Sequence, residues 1–198
     1  MPAIFGSGFK AAATAALMLA ASIASAAQPT PQAVPAVPSL NVALTYNATL
    51  SDLINTSRFW MQGASAQIEG RFYGGWGAVA DISGMHIANI NSTGVGLDMV
   101  TVTFGPRYTW THARYQLFGQ GLAGVANGFN SVFPGPLAAQ TTAGSLAVKA
   151  GGGINYALRR HIALRLFEAD YLRTQLPNST NNAQNNFQLA AGIVLRFR

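Results

Sequence analysis

Eight segments of this chain place bulky apolar residues at every second position, and this period of two constrains the fold more than any other feature. The fourth segment is the clearest. Val100, Val102, Phe104, Pro106, Tyr108 and Trp110 share one parity, while Thr101, Thr103, Gly105, Arg107 and Thr109 share the other. The pattern recurs over Leu40–Leu50, Gln62–Tyr73, Trp76–Ala88, Met99–Trp110, Tyr115–Ala126, Leu146–Ala157, Ile162–Leu172 and Phe187–Phe197. Each run has about the ten residues that a tilted strand needs to cross a bilayer. Long polar connections (SDLINTSRFW, NINSTGVGLD, NGFNSVFPGPLAAQTTAGS, RTQLPNSTNNAQNN) take turns with short ones (GG, THAR, RRH). An even number of antiparallel hairpins with long and short connections in alternation describes an all-β, eight-stranded up-and-down transmembrane barrel. A chain entering from the periplasm puts the long connections outside the cell.

Alternation alone does not say which face meets lipid, since a secreted lipocalin-like barrel alternates with the opposite sign. Composition and size favour the membrane. The chain is 49% hydrophobic and only 9% charged, whereas soluble domains carry about a quarter charged residues. An eight-stranded barrel has an interior just wide enough to be filled by side chains. The parity rich in Gly, Ala, Ser and Thr therefore belongs inside and the bulky parity outside. Glu69, Arg71, Asp81, Arg107, Lys149, Arg165 and Arg196 share the small-residue face, so they are expected to form a lumen charge network, with Glu69 and Asp81 bridging basic neighbours. A basic side chain facing lipid at mid-bilayer would cost about 2–4 kcal/mol.

Two places resist this scheme. Glu168 and Asp170 share the parity of Ile162, Leu164 and Leu166, which would put two acids into lipid. A β-bulge near Leu166-Phe167 returns them to the lumen network; the alternative is a strand already above the membrane. Pro106 lacks a donor in a fold without edges, so a bulge or a broken ladder bond is expected at Gly105-Pro106.

The N-terminal stretch has Lys10, an apolar run from Ala11 to Ala24 and an A-x-A site at Ala24-Ser25-Ala26. This is the layout of a secretory signal peptide, with a short membrane anchor as the alternative. Residues 1–26 are assigned to the signal, the proline-rich 27–39 to an extended linker, and 40–198 to the barrel. The formal net charge is +6, and it falls to +5 when Lys10 leaves with the signal. No cysteine is present, and no basic run or aromatic-basic module points to nucleic acid. After the signal no apolar run is long enough for a transmembrane helix.

Aromatic residues collect near strand ends. Tyr73, Trp76, Trp110, Tyr115 and Tyr156 would form a periplasmic girdle, with Tyr46, Phe59, Trp60, Tyr171 and Phe187 on the other side. The plainer account is that aromatics are common near any strand end. TVTFGPRYTW, FGQGLAGVA and KAGGGINYALRRHIALRLFEADYLRT, with the closing GIVLRFR, resemble the small OmpA/OmpX-like outer-membrane barrels, particularly opacity-type porin-family proteins. The resemblance covers about residues 40–198. It implies that Leu189, Ile193, Leu195 and Phe197 form a C-terminal signal read by the barrel-assembly machinery, although Arg198 follows the terminal aromatic here.

Catalytic constellations are sparse. His112 and His161 fall in short turns, and His86 has outward parity with no facing carboxylate or nucleophile that makes a triad. His-x-x-x-His spacing is absent, and the glycines at 151–153 lack the Lys-Ser/Thr of a phosphate loop. The expectation is a non-enzymatic outer-membrane protein with a structural or surface-interaction role, its lumen filled by polar and charged side chains. A small porin-like channel and a lipid-modifying enzyme are the alternatives. No cofactor or metal is expected, and outer-membrane lipid is the expected partner. Arg58, Phe59 and Trp60 in the first loop, and Phe129, Phe133 and Leu137 in the third, are candidate contacts for an extracellular ligand whose nature the sequence does not give.

Overall fold

The computed structural model describes residues 39–54, 57–135, 138–178 and 181–197. The signal-peptide assignment, the linker up to residue 38, Leu137 and Arg198 lie outside them. Eight strands form one closed antiparallel barrel in chain order: β1 (Ser39–Ile54), β2 (Ser57–Tyr73), β3 (Trp76–Ile87), β4 (Leu97–His112), β5 (Tyr115–Phe129), β6 (Ala143–Ala157), β7 (Ile162–Thr174) and β8 (Gln184–Phe197). The barrel closes where β8 pairs with β1, from Leu40↔Phe197 to Leu50↔Phe187. Closure leaves no strand edge with unpaired donors. The final segment of the sequence therefore has an unbroken bulky face because it is the closing stave.

Most strands run further than the alternation suggested. The barrel begins at Ser39, a residue assigned to the linker. The expected ten-residue first loop is mostly strand, since β1 continues to Ile54 and β2 starts at Ser57. Its sequence is polar enough to read as loop, but Ser51 and Leu53 keep the inward alternation and are buried. The other end of the barrel has short connections, so the two ends are called here the loop end and the turn end. At the turn end, Gly74 and Gly75 have φ of 51° and 96°, the left-handed pair that a tight two-residue hairpin between Tyr73 and Trp76 requires.

Both expected irregularities occur. Ile154 pairs with Phe167 and Asn155 with Arg165, so Leu166 is the extra residue of a bulge. The register between β7 and β8 shifts at the same point. As a result Leu166 and Phe167 both face outward, while Glu168 and Asp170 are buried. On β4 the ladder to β5 is interrupted between Phe104↔Ala123 and Arg107↔Gln120 without a change of register. The interruption falls at Gly105-Pro106, where proline has no N–H to give.

The distribution of side chains is inverted relative to a soluble protein. Phe104 is 62% exposed and Leu146 65% exposed, whereas Arg107 and Lys149 are each 1% exposed. Leu44, Ile68, Ile82 and Ile193 continue the apolar exterior around the wall. A contiguous apolar surface of this extent is far larger than soluble monomers present to water.

Candidate functional site in the barrel lumen

The lumen is organised around Phe118, an inward residue of β5. The guanidinium carbons of Arg107 and Arg165 lie 4.2 Å and 4.7 Å from its ring centroid. Such stacking suits arginine, whose flat cation is weakly hydrated and sits well on aromatic faces. The glycine run of β6 makes room for this arrangement. A Cβ on Gly153 would lie 2.9 Å from the Phe118 ring and 2.3 Å from the Phe167 carbonyl oxygen.

Hydrogen bonds radiate from the two arginines. Arg107 donates through Nε to Gln120 Oε1 at 3.1 Å, through Nη2 to Gln67 Oε1 at 2.6 Å and through Nη1 to Glu69 Oε2 at 3.4 Å. Arg165 donates to Asn155 at 3.0 Å, to Glu168 at 2.7 Å and also to Gln67. Gln67 and Gln120 then donate to Glu168 Oε1 at 2.9 Å and 2.8 Å, and Gln120 reaches Asp170 at 3.0 Å. Glu69 further accepts from Arg71 at 2.7 Å, from Asn41 at 3.1 Å and from Thr109 at 3.1 Å.

Asp81 and Lys149 form a further pair at 2.7 Å, with the Ser83 hydroxyl donating to the same carboxylate oxygen at 2.8 Å. Arg196 lies toward the turn end and donates to the Arg159 carbonyl at 2.6 Å. Of the residues assigned to the charge network, Glu69, Arg71, Arg107, Arg165, Glu168 and Asp170 are therefore linked. Asp81 and Lys149 bond each other and Ser83 beside this set, close enough for Lys149 to act electrostatically on Glu168 and Asp170. Four carboxylates and four cations (Arg71, Arg107, Lys149 and Arg165) share this part of the lumen, which suits a region where unpaired charge is costly. Parity did not single out the neutral linkers Gln67, Gln120, Asn41 and Asn155, because an amide carries no sign of charge to flag it.

The expectation of a lumen filled throughout by polar groups needs correction. Toward the loop end the lumen also holds an apolar cluster, set beside the buried polar side chains of Thr49, Ser51, Thr174, Gln184 and Asn186. Leu53, Phe59, Met61, Met85, Leu97, Met99 and Leu172 pack there with Ile90, Phe133 and Leu176 from the connections. Two of the residues offered as ligand contacts, Phe59 and Phe133, are 4% and 1% exposed and belong to this packing; Phe59 is accordingly no part of an outer girdle. Phe133 is carried inward by the β5–β6 loop, which is braced by paired backbone bonds of 2.8 Å between Phe133 and Gln140. Of the remaining candidates, Arg58, Trp60 and Phe129 are exposed. The three lumen methionines share parity with Gln67, Asp81 and Thr101, so their inward direction was legible; bulk had been taken as a mark of the lipid face.

On the exterior, Tyr73, Trp76, Trp110 and Tyr115 are exposed and Tyr156 half-buried near the turn end. Trp76 meets Tyr108 edge-on, and Tyr115 lies against Tyr156, each with ring centroids 5.1 Å apart. Ile193, Leu195 and Phe197 of β8 are exposed on the same wall, with Leu189 half-buried. His86 differs from the expectation: it faces a carboxylate, bonding Asp98 across β3 and β4, while Asn130 bonds the other Asp98 oxygen. Among the described residues no hydroxyl is hydrogen-bonded to His86, and no cluster of three His, Cys, Asp or Glu side chains could hold a metal ion.

No protein-family model matches the sequence, and no curated protein matches it. Solved structures do. Neisserial surface protein A (NspA) aligns with a TM-score of 0.62 at 12% identity, covering 82% of this chain and 100% of that one. The attachment invasion locus protein Ail of Yersinia pestis aligns with a TM-score of 0.58 at 16% identity, again over 82% of this chain and 100% of the other. The fold is that of the small outer-membrane barrels. At these identities the likeness is one of fold. The resemblance drawn from the sequence thus holds for the architecture.

Proposed function

We propose that this chain is an integral outer-membrane protein with a structural or surface-interaction role, exported by a signal peptide cleaved after Ala26. The observation that carries the reading is the inverted barrel: an apolar exterior around a lumen of paired charges. In lipid, a closed sheet satisfies every backbone group, and the apolar wall is then solvated by acyl chains. Tyr73, Trp76, Trp110, Tyr115 and Tyr156 act in this reading as an interfacial girdle. Leu189, Ile193, Leu195 and Phe197 serve as the signal for the barrel-assembly machinery. Any recognition falls to the loop end, where Arg58, Trp60 and Phe129 are exposed. Ail, also solved with the heparin analogue sucrose octasulfate, lends this role support by analogy of fold alone.

A conducting pore fits less well, because polar pairs fill one part of the lumen and apolar side chains another. An enzyme also fits less well, because the His86–Asp98 pair has no hydroxyl nucleophile bonded to it. Gel mobility of the outer-membrane fraction tests the proposal. The expected result is a band whose migration changes on boiling, with no conductance in planar bilayers. A soluble protein of unchanged mobility would contradict the membrane role, and steady channel currents would contradict the closed lumen.

A further inference from the structure

Charge is unevenly distributed along the barrel axis. The chain has six carboxylate side chains. Asp52 and Asp98 lie toward the loop end, while Glu69, Asp81, Glu168 and Asp170 are in the lumen. The short turns hold Arg114, Arg159 and Arg160 and no acidic side chain. Among the described residues, none of these three guanidiniums enters an ion pair.

Beside this basic rim opens a cavity of about 790 Å³, lined by Arg71, Arg160, Ser39, Tyr73, Tyr108 and Trp110, among others. Arg71 uses Nε on Glu69, but its Nη2 is buried and has no partner among the described residues. A buried donor without an acceptor is costly, so Arg71 has capacity for a further acceptor although its charge is paired with Glu69. Its wall is two-sided. Cations and hydroxyls come from the rim and lumen, while Tyr73, Tyr108 and Trp110 belong to the apolar exterior. A small soluble anion would be served by the cations alone. A headgroup with acyl chains attached would use both sides, since tyrosine and tryptophan suit the boundary between chains and headgroups.

We propose that the cavity at the turn end binds the phosphate of an anionic glycerophospholipid, with Arg71 and Arg160 on the phosphate and the acyl chains running along Trp110 and Tyr108. The inference rests on the membrane placement proposed above. The volume suits the task, as small-molecule sites span roughly 300–1,000 Å³. Orientation follows from the proposed topology, which directs the short turns to the periplasm and hence the cavity to the inner leaflet.

Tryptophan quenching in vesicles tests it with the mature full chain. Trp60→Phe removes the loop-end tryptophan and leaves Trp76 and Trp110 as reporters of the turn end. Brominated phosphatidylglycerol and brominated phosphatidylcholine are compared at equal mole fraction in a phosphatidylcholine background. The expected result is a preference for the phosphatidylglycerol on the order of fivefold, as expected for one net basic charge near an anionic lipid, since Arg71 is already paired with Glu69. It should fall with Arg160→Gln and approach unity with Arg71→Gln/Arg160→Gln, while Arg173→Gln at the loop end leaves it unchanged. Arg160 makes no ion pair with any described residue, so its substitution tests the site even if the double variant fails to fold. Equal quenching by both lipids, or a preference untouched by Arg160→Gln, would overturn the site while leaving the membrane placement intact. Binding of inorganic phosphate without any preference for phosphatidylglycerol over phosphatidylcholine would assign the cavity to a soluble anion and overturn the lipid proposal. Absence of quenching by either lipid would overturn the membrane placement itself.

Discussion

The two ends of the lumen solve one packing problem differently, one with buried charge and one with apolar bulk among neutral polar groups. Around Phe118, space is filled by arginines, carboxylates and amides that are correct only in combination. Around Met85 and Leu172, methionine, leucine and phenylalanine supply most of the bulk, with the neutral side chains of Thr49 and Asn186 bonded among them and no buried charge among the described residues. Polar filling of a narrow lumen demands near-complete pairing, because each unmatched charge stays desolvated. Apolar filling tolerates changes of shape provided that volume is kept. The first should be brittle and specific, the second stable and forgiving.

The largest expected effect follows from removing one member of the polar set. Arg107→Ala leaves Glu69, Gln67 and Gln120 without their shared donor and takes a cation off Phe118. Loss of about 3–5 kcal/mol is expected, measured by urea unfolding of the barrel in lipid vesicles. A loss below about 1 kcal/mol, the range of exposed pairs, would mean that water or a neighbour substitutes freely and that the polar part is not brittle.

Next comes Leu172→Ala in the apolar part. It creates a cavity among Phe59, Met85 and their neighbours, and about 2–4 kcal/mol should be lost in the same assay. An unchanged midpoint would show that this end of the lumen is loosely packed.

The smallest effect is expected where a whole polar unit is replaced at once. Asp81 and Lys149 pair with each other and with Ser83. Lys149→Met alone should cost about 3 kcal/mol, because it strands a buried carboxylate, whereas adding Asp81→Leu should restore the midpoint to within about 1 kcal/mol of the parent. A double variant no better than the single would show that Lys149 matters chiefly through the neighbouring carboxylates Glu168 and Asp170.

The same contrast explains what the sequence made legible. Strand count and closure order follow from period-two patterning, since a one-residue slip would turn every lumen charge into lipid, whereas the polar SDLINTSRFW hid the ends of β1 and β2. Glu168 and Asp170 pointed to a bulge near Leu166-Phe167 or to a strand above the membrane, and the register of β7 shows the bulge. Arg173 and Asp98 near strand ends face outward, but in the middle of the wall charge marks direction, because only the lumen accepts it there. Bulk does not. Phe118, Met61, Met85 and Met99 point inward on the parity of polar neighbours, yet their size suits lipid equally well, and only the cross-strand arrangement shows where the lumen has room. The glycines at 151–153 carried half of that information. They marked a space without naming Phe118, an inward residue of the neighbouring strand, as its occupant. His86 and Asp98 are twelve residues apart and meet through the register of β3 and β4, which alternation within single segments does not give.

The central claim is the inverted orientation of the wall, and site-directed spin labelling addresses it most directly. The chain has no cysteine, so single cysteines at positions 100 to 104 of β4 can be labelled without background. In vesicles, labels at 100, 102 and 104 should be strongly accessible to oxygen dissolved in the acyl chains and shielded from a water-soluble nickel chelate. Labels at 101 and 103 should be shielded from the lipid-dissolved oxygen. Alternation of the opposite phase, or none, would contradict the account.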